Sequence, residues 1–236
     1  MEHELFLNEA YLQYGIEKYI LWDTDVAPHG AIFGTTGSGK TYAEKILLAR
    51  ISLKCPSSQF FICDFKGDSD FSFLAGAERF YRYAECKKGL DNFYNCFLNR
   101  QSGKDNNRNF LLLVWDEWAS YILSLDKKVA EEEKKKLAIL LMLGRSFNVH
   151  VLLCMQRLDV AYIQSRDCIN LVMAMGNLSE EGKEMMFHDY KKKMEPNRRQ
   201  GTGYLTINGT NFTPFVVPQV RNHELLNEHI QKAVQR

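Results

Sequence analysis

Residues 34–41, GTTGSGKT, fill the phosphate-binding pattern G-x-x-x-x-G-K-[ST] at every position. Gly34 and Gly39 permit turns that a side chain would block, so successive backbone N–H groups can point inward at anionic oxygens; Gly37 adds slack. Thr35, Thr36 and Ser38 complete this cradle, and Tyr42 follows it directly. Lys40 is placed to reach the β- and γ-phosphates of a nucleotide, and Thr41 offers a hydroxyl to Mg²⁺. Taken alone, the stretch also fits a flexible Gly/Thr/Ser surface loop. A second stretch supplies the acids: the apolar run 110–115 (FLLLVW) closes on Asp116-Glu117. Asp116 is placed to hold Mg²⁺. Glu117 is placed to orient and deprotonate an attacking water, a role worth roughly 10²–10⁴-fold in rate. The bland alternative is electrostatic capping of the next helix. A third polar group, Gln156, follows the apolar run 149–155, where an amide either contacts a γ-phosphate or merely ends a strand.

Short buried strands must deliver these groups to one place. The run 31–33 (AIF) before the glycine loop and the amphipathic helix 42–53 after it are in the order this chemistry needs. Runs 19–22, 59–63 and 171–174 read as further strands. Asp64 and Lys66 follow the strand 59–63, where ligands gather in open α/β sheets, although Asp64 before Gly67 is also ordinary turn chemistry. His29 either faces the nucleotide or is a turn histidine. The crowded aromatics of 71–83 read as packing rather than as a base-stacking platform. The charge run 126–136 reads as a solvated helical face that continues into an apolar stripe at Leu137, Leu140 and Leu141. Ser179 precedes two acids as an N-cap. Lys191, Lys192, Lys193, Arg198 and Arg199 form a basic patch that is either solvated or set against a phosphate backbone. Residues 203–207 and 212–217 form a closing hairpin across Asn208-Gly209, and 223–236 reads as a short polar helix.

At 236 residues and 45% apolar content the chain fits one large α/β domain, and a net charge of +1 leaves any nucleic-acid contact to local loops. Six scattered cysteines without a C-x-x-C pair argue for a reduced compartment rather than for disulfides or metal. The acidic N-terminus shows no signal peptide, and no apolar run approaches the ~20 residues that span a bilayer, so direct membrane insertion is not expected.

The segments PHGAIFGTTGSGKT, ICDFKG, LLLVWDEW, LGRSFNVHVLLCMQR and MAMGNLSEEGKEMMF together resemble the motor domain of FtsK/SpoIIIE-type DNA translocases of the HerA–FtsK superfamily. The likeness is strongest to the TcpA-type coupling ATPases of Gram-positive mobile elements and covers about residues 19–218. It implies a RecA-like P-loop ATPase that uses ATP and Mg²⁺, with a mostly parallel sheet flanked by helices and a C-terminal β-hairpin. The strand 149–155 should lie between the phosphate-loop strand and the Asp116 strand, with nucleotide at the strands' C-terminal edge. One domain is expected over 1–236: an entry segment to 27, a motor core over 28–218 and a tail helix. The resemblance further implies a cytoplasmic homo-oligomer, usually a hexamer, acting on DNA and recruited by a relaxase, capsid or membrane-anchored partner. Lys40 and Thr41 would bind nucleotide and Mg²⁺, and Asp116 and Glu117 would be the magnesium acid and the base. Gln156 would sense the γ-phosphate. Arg145 in GRSFNVH would be the arginine finger in trans, with Arg166 as second candidate. Where the family has Q-R-P and G-R-G-Y, this chain has Gln156-Arg157-Leu158 and Gly201-Thr202-Gly203-Tyr204, with Arg199 nearby as a substitute arginine. A non-motor ATP-binding switch or scaffold that recruits partners is the alternative function.

Overall fold

Strands that are apolar on both faces need cover on both faces, and that requirement organises the molecule. The computed structural model describes residues 1–156 and 161–236. In chain order, β1 (Glu2–Asn8), α1 (Glu9–Leu12), β2 (Tyr19–Asp23), β3 (Gly30–Gly34), α2 (Lys40–Lys54), β4 (Gln59–Asp64), β5 (Phe80–Arg82) and α3 (Cys86–Gln101) form the first half. Then come β6 (Leu111–Asp116), α4 (Trp118–Leu123), α5 (Lys127–Leu143), β7 (Val149–Met155), β8 (Leu171–Met175), α6 (Glu180–Phe187), β9 (Thr202–Ile207), β10 (Thr210–Val216) and α7 (His223–Gln235).

All ten strands join one sheet in the order β2-β1-β10-β9-β8-β3-β7-β6-β4-β5. From β8 to β5 every pairing is parallel; from β8 to β2 every pairing is antiparallel. The mostly parallel sheet with flanking helices is therefore present, with β7 between β3 and β6. Alternation along each strand sorts side chains to two faces. Ile32, Phe60, Leu112 and Leu152 pack with α2 and α7, whereas Phe33, Phe61, Leu113 and Val151 pack under α3, α4 and α5.

Several sequence expectations change. No strand was expected before Tyr19, yet β1 pairs with both β2 and β10 and buries Leu5, Phe6 and Leu7. The expected C-terminal hairpin is present, and it continues the sheet, since β9 pairs with β8 and β10 with β1. The tail helix is amphipathic rather than merely polar: Leu226, Ile230, Ala233 and Val234 are buried in the cluster that also holds α2. With the sheet on one side and α7 on another, α2 is buried well beyond a single stripe. Within the charge run, Glu133 is buried, accepting a hydrogen bond from the Tyr121 hydroxyl at 2.9 Å and pairing with Lys136 at 2.7 Å, so this face is only partly solvated. Of the aromatics in 71–83, Phe71 and Tyr81 pack inside as expected, but Tyr83 is exposed. Among the described residues no helix is long and apolar enough to cross a membrane.

Candidate active site

The C-terminal ends of β3, β6, β7 and β4 meet along one edge of the sheet. Register sets the alignment: Asp64 lies opposite Asp116, Asp116 opposite Cys154, and Phe33 opposite Met155. The glycine loop leaves β3 here and runs straight into α2. Gly37 and Gly39 have φ of +81° and +96°, values at which other residues are strained, and Gly39 is the residue that starts the helix. A Cβ on Gly34 would sit 2.6 Å from Ser38 Oγ and 2.8 Å from the Met175 carbonyl, so only glycine fits that turn. The Lys40 ammonium donates to the Gly34 carbonyl across the loop at 2.8 Å, and Ser38 Oγ is buried without a hydrogen-bond partner. A cationic group resting on a neutral carbonyl, glycine-directed N–H groups and an unsatisfied hydroxyl fit a phosphate chain.

The acids lie beside it. Asp116 has its carboxyl pushed up to about 7, first by burial and then by Glu117 and Asp64, with Lys40 and Lys66 pulling the other way. The Asp116 carboxylate and the Thr41 hydroxyl at the first turn of α2 are oxygen donors of the kind that would hold Mg²⁺. Glu117 is buried, and its backbone adopts the left-handed conformation (φ 59°, ψ 52°) at the start of α4. A long side chain there stores backbone strain. Its N–H donates to the Cys154 carbonyl at 2.8 Å, and its Oε1 accepts a hydrogen bond from Gln156 Nε2 at 3.3 Å. Gln156, exposed at the end of β7, is therefore brought directly onto Glu117.

The remaining expected residues divide. Asp64 is both a turn former and a neighbour of the site: its carboxylate accepts the Gly67 N–H at 2.7 Å and Arg82 Nε at 3.2 Å, and burial holds its carboxyl above the ordinary range. Lys66 pairs with Asp68 at 2.7 Å. His29 does not face this edge. It sits at the opposite, N-terminal edge of β3, buried, with Nδ1 accepting the Val151 N–H at 3.1 Å. Arg145 also lies at the N-terminal edge, exposed in the turn before β7 and without an ion pair among the described residues. Arg166 is half-buried in the turn before β8, its Nε 4.0 Å from Asp167. Arg157 and Leu158 lie outside the described residues. In the basic patch Lys191 is paired with Glu184, and Arg198 with Glu9 at 2.6 Å, so both are internally compensated.

Two features of the site escaped the sequence reading. Glu44, inside α2, is fully buried, and its carboxyl is held well above the usual range by burial first and then by Asp116. Its one visible signal is a carboxylate inside the otherwise apolar stretch that follows the loop. The turn before β9 rests on the phosphate loop, the Gly201 N–H donating to the Ser38 carbonyl at 3.1 Å. No local pattern announces that contact, which joins residues far apart in the chain.

Residues 10–206 match the family described as the helicase HerA central domain. An FtsK domain-containing protein, YdcQ of Bacillus subtilis, is 25% identical over 241 aligned positions, covering 93% of this chain and 49% of its own length. The chain thus spans about half of that relative. The pCW3 conjugation coupling protein TcpA, solved with ATPγS, superposes with a TM-score of 0.74 at 17% identity, over 98% of this chain and 70% of its own. The cytoplasmic domain of the Thermomonospora curvata type VII secretion ATPase EccC gives 0.73 at 18% identity, over 99% and 31%. These two likenesses show that the fold is shared.

Proposed function

The chain belongs to the HerA central-domain family, and from that premise we propose that it is an ATP-dependent DNA-translocating motor that works in the cytoplasm as a homo-oligomeric ring of six copies. The observation that carries the reading is the meeting of Lys40, Asp116, Glu117 and Gln156 at one sheet edge, with the Gln156 amide 3.3 Å from the Glu117 carboxylate. A lone phosphate loop binds; a buried carboxylate held by an amide beside it is equipped to take a proton from water. Mg²⁺ and the triphosphate, when bound, supply the electrophilic phosphorus and a neutralised leaving group. The chain's residues do the rest. Lys40 exchanges the Gly34 carbonyl for phosphate oxygens, residues 34–42 hold the nucleotide, Thr41 and Asp116 hold the metal, Glu117 takes the proton, and Gln156 holds Glu117 in place.

Arg145 fits a finger acting in trans. It lies beyond the start of β7, about 20 Å along the strand from Gln156 at 3.3 Å per residue, too far to serve its own site. Its exposure leaves it free to reach a neighbour's. Arg166 lies near the same edge and is the second candidate. The name of the conjugation coupling relative supports service to DNA transfer, and a relaxase, capsid or membrane-anchored protein is the recruiting partner that goes with this reading.

The test is the ATPase rate with single-stranded, double-stranded and no DNA at two protein concentrations. We expect DNA stimulation and a specific activity that rises with concentration, and an Arg145→Ala chain should lose about 10³-fold at high concentration. Turnover indifferent to every DNA, with monomers in all nucleotide states, would instead favour a switch or scaffold that recruits partners.

A further inference from the structure

The loop that leaves β4 is held more firmly than a surface turn requires. The buried Asp64 carboxylate accepts the Gly67 N–H at 2.7 Å and Arg82 Nε at 3.2 Å, and Arg82 also donates to the Asp68 carbonyl at 2.7 Å. From the outside Tyr83 closes on Gly67: its hydroxyl donates to the Gly67 carbonyl at 3.3 Å, and a Cβ on Gly67 would meet the ring at 2.1 Å. Tyr83 stands in the left-handed conformation (φ 51°) although it is 54% exposed. Core packing does not demand that strain of an exposed aromatic residue; what the strain secures is the course of residues 64–68.

Lys66 is the side chain that this arch presents. Asp64 lies opposite Asp116 in the register of β4 and β6, and Lys66 follows two residues beyond it. The sheet order β3-β7-β6-β4 brings Lys40 to Asp116 from one side and Lys66 from the other, and both cations act on the Asp116 carboxyl. The Lys66 ammonium rests on Asp68 at 2.7 Å, with both side chains about half exposed. That hydrogen bond first, and then the charges of Asp68, Asp116 and Glu117, hold the ammonium above the ordinary lysine range. An exposed ion pair of this kind is a weak anchor, screened by water and easily exchanged for a more highly charged partner. A triphosphate that runs from the glycine loop towards Glu117 brings such a partner to the β4 side of β6.

We propose that Lys66 is a further catalytic residue, which leaves Asp68 for the terminal phosphate of the bound triphosphate and faces Lys40 across it, with Asp68 as its resting partner. The inference rests on reading residues 34–41 as a triphosphate site. In hydrolysis the water oxygen bonds to the terminal phosphorus while Glu117 takes the water proton. The bond from that phosphorus to the β–γ bridging oxygen breaks, and ADP leaves with the electron pair. Lys66 offsets the charge on the transferred phosphoryl oxygens. Calorimetry on the full chain tests this with two probes, Mg²⁺–ADP and a non-hydrolysable Mg²⁺–ATP analogue, beside turnover under the condition that gives wild type its highest rate. Lys66→Met should weaken the analogue by about tenfold or more, leave ADP within about twofold, and lower turnover by about 10²-fold. Lys66→Arg should restore most of the analogue affinity. Asp68→Ala, which frees the ammonium, should tighten the analogue by about two- to fivefold and leave ADP unchanged. Turnover of Lys66→Met within about threefold of wild type, parallel loss of analogue and ADP, or weaker analogue binding by Asp68→Ala would overturn the assignment of Lys66 alone. Binding of neither nucleotide by wild type would overturn the phosphate-loop reading, and the Lys66 assignment with it.

Discussion

The two edges of the parallel half of the sheet are built from the same strands and obey opposite rules. At the N-terminal edge His29 accepts a backbone N–H, and His150 lies between the Pro28 carbonyl at 2.8 Å and the Asn148 side chain at 2.7 Å, stacked on Phe110 with centroids 4.2 Å apart. His29 Nδ1 and both ring nitrogens of His150 are partnered, while His29 Nε2 is buried without a partner. At the C-terminal edge the carboxyls of Asp64, Asp116, Glu117 and the buried Glu44 crowd together, Asp116 is pushed up to about 7, and Ser38 Oγ has no partner. Each edge contains a left-handed backbone residue just outside a strand, but at the N-terminal edge it is Asn148 (φ 53°) and at the C-terminal edge Glu117 (φ 59°). Asparagine tolerates that conformation; glutamate does so at a cost. One edge is assembled for stability, the other keeps strain and unneutralised charge where ligands are proposed to bind.

Three measurements sharpen or break that contrast. Glu117→Gln keeps the shape and the Gln156 contact but removes the base; turnover should fall by roughly 10²–10⁴-fold with thermal stability unchanged or slightly raised. A fall of only a few-fold would remove Glu117 from the chemistry. The second acts on the other edge. Burial first, then His150, lowers His29 to about 3, below its unfolded value of 6.5. Above pH 6.5 both states are neutral and this histidine adds no pH dependence. As pH falls from 6.5 towards 3 the unfolded chain takes up a proton that the folded one refuses, so stability drops by about 3–5 kcal/mol from this group. Denaturant melts across that range check it: a His29→Ala chain, less stable at pH 7, should lose less on acidification. The smallest effect separates strain from function. Glu117→Asn relieves the left-handed backbone and one buried charge, and should raise stability by about 1 kcal/mol in the same melts while abolishing turnover. A destabilised Glu117→Asn chain would show that the C-terminal edge is not strained in the way proposed.

How far the chain could be read from its residues varies by element. The strands β3, β4, β6, β7 and β8 were legible because unbroken apolar runs closed by polar residues specify buried strands locally. By contrast β1 (EHELFLN) has only the short apolar run Leu5–Leu7 after a charged start, and although it pairs with the nearby β2, its other partner, β10, lies more than two hundred residues away. Glu133 looked solvated beside its charged neighbours, and only Tyr121 and Lys136 show why it is buried. His29 was open between two roles; strand direction places it at the edge away from the loop.

By itself the sequence determined the phosphate loop, the acid pair and the strands that deliver them, because glycine placement and apolar period act within a few residues. Only the tertiary structure decided which tips become neighbours. Strand register sets Asp64 against Asp116, and β7 carries Gln156 to Glu117 across 39 residues of chain. The turn at Gly201 lies on Ser38, and β1 and β10 bring Leu7 and Val216 to a groove beside Gly39 and Tyr42. These contacts depend on pairing and closure over long chain separations, which leave no local trace in the residues that make them.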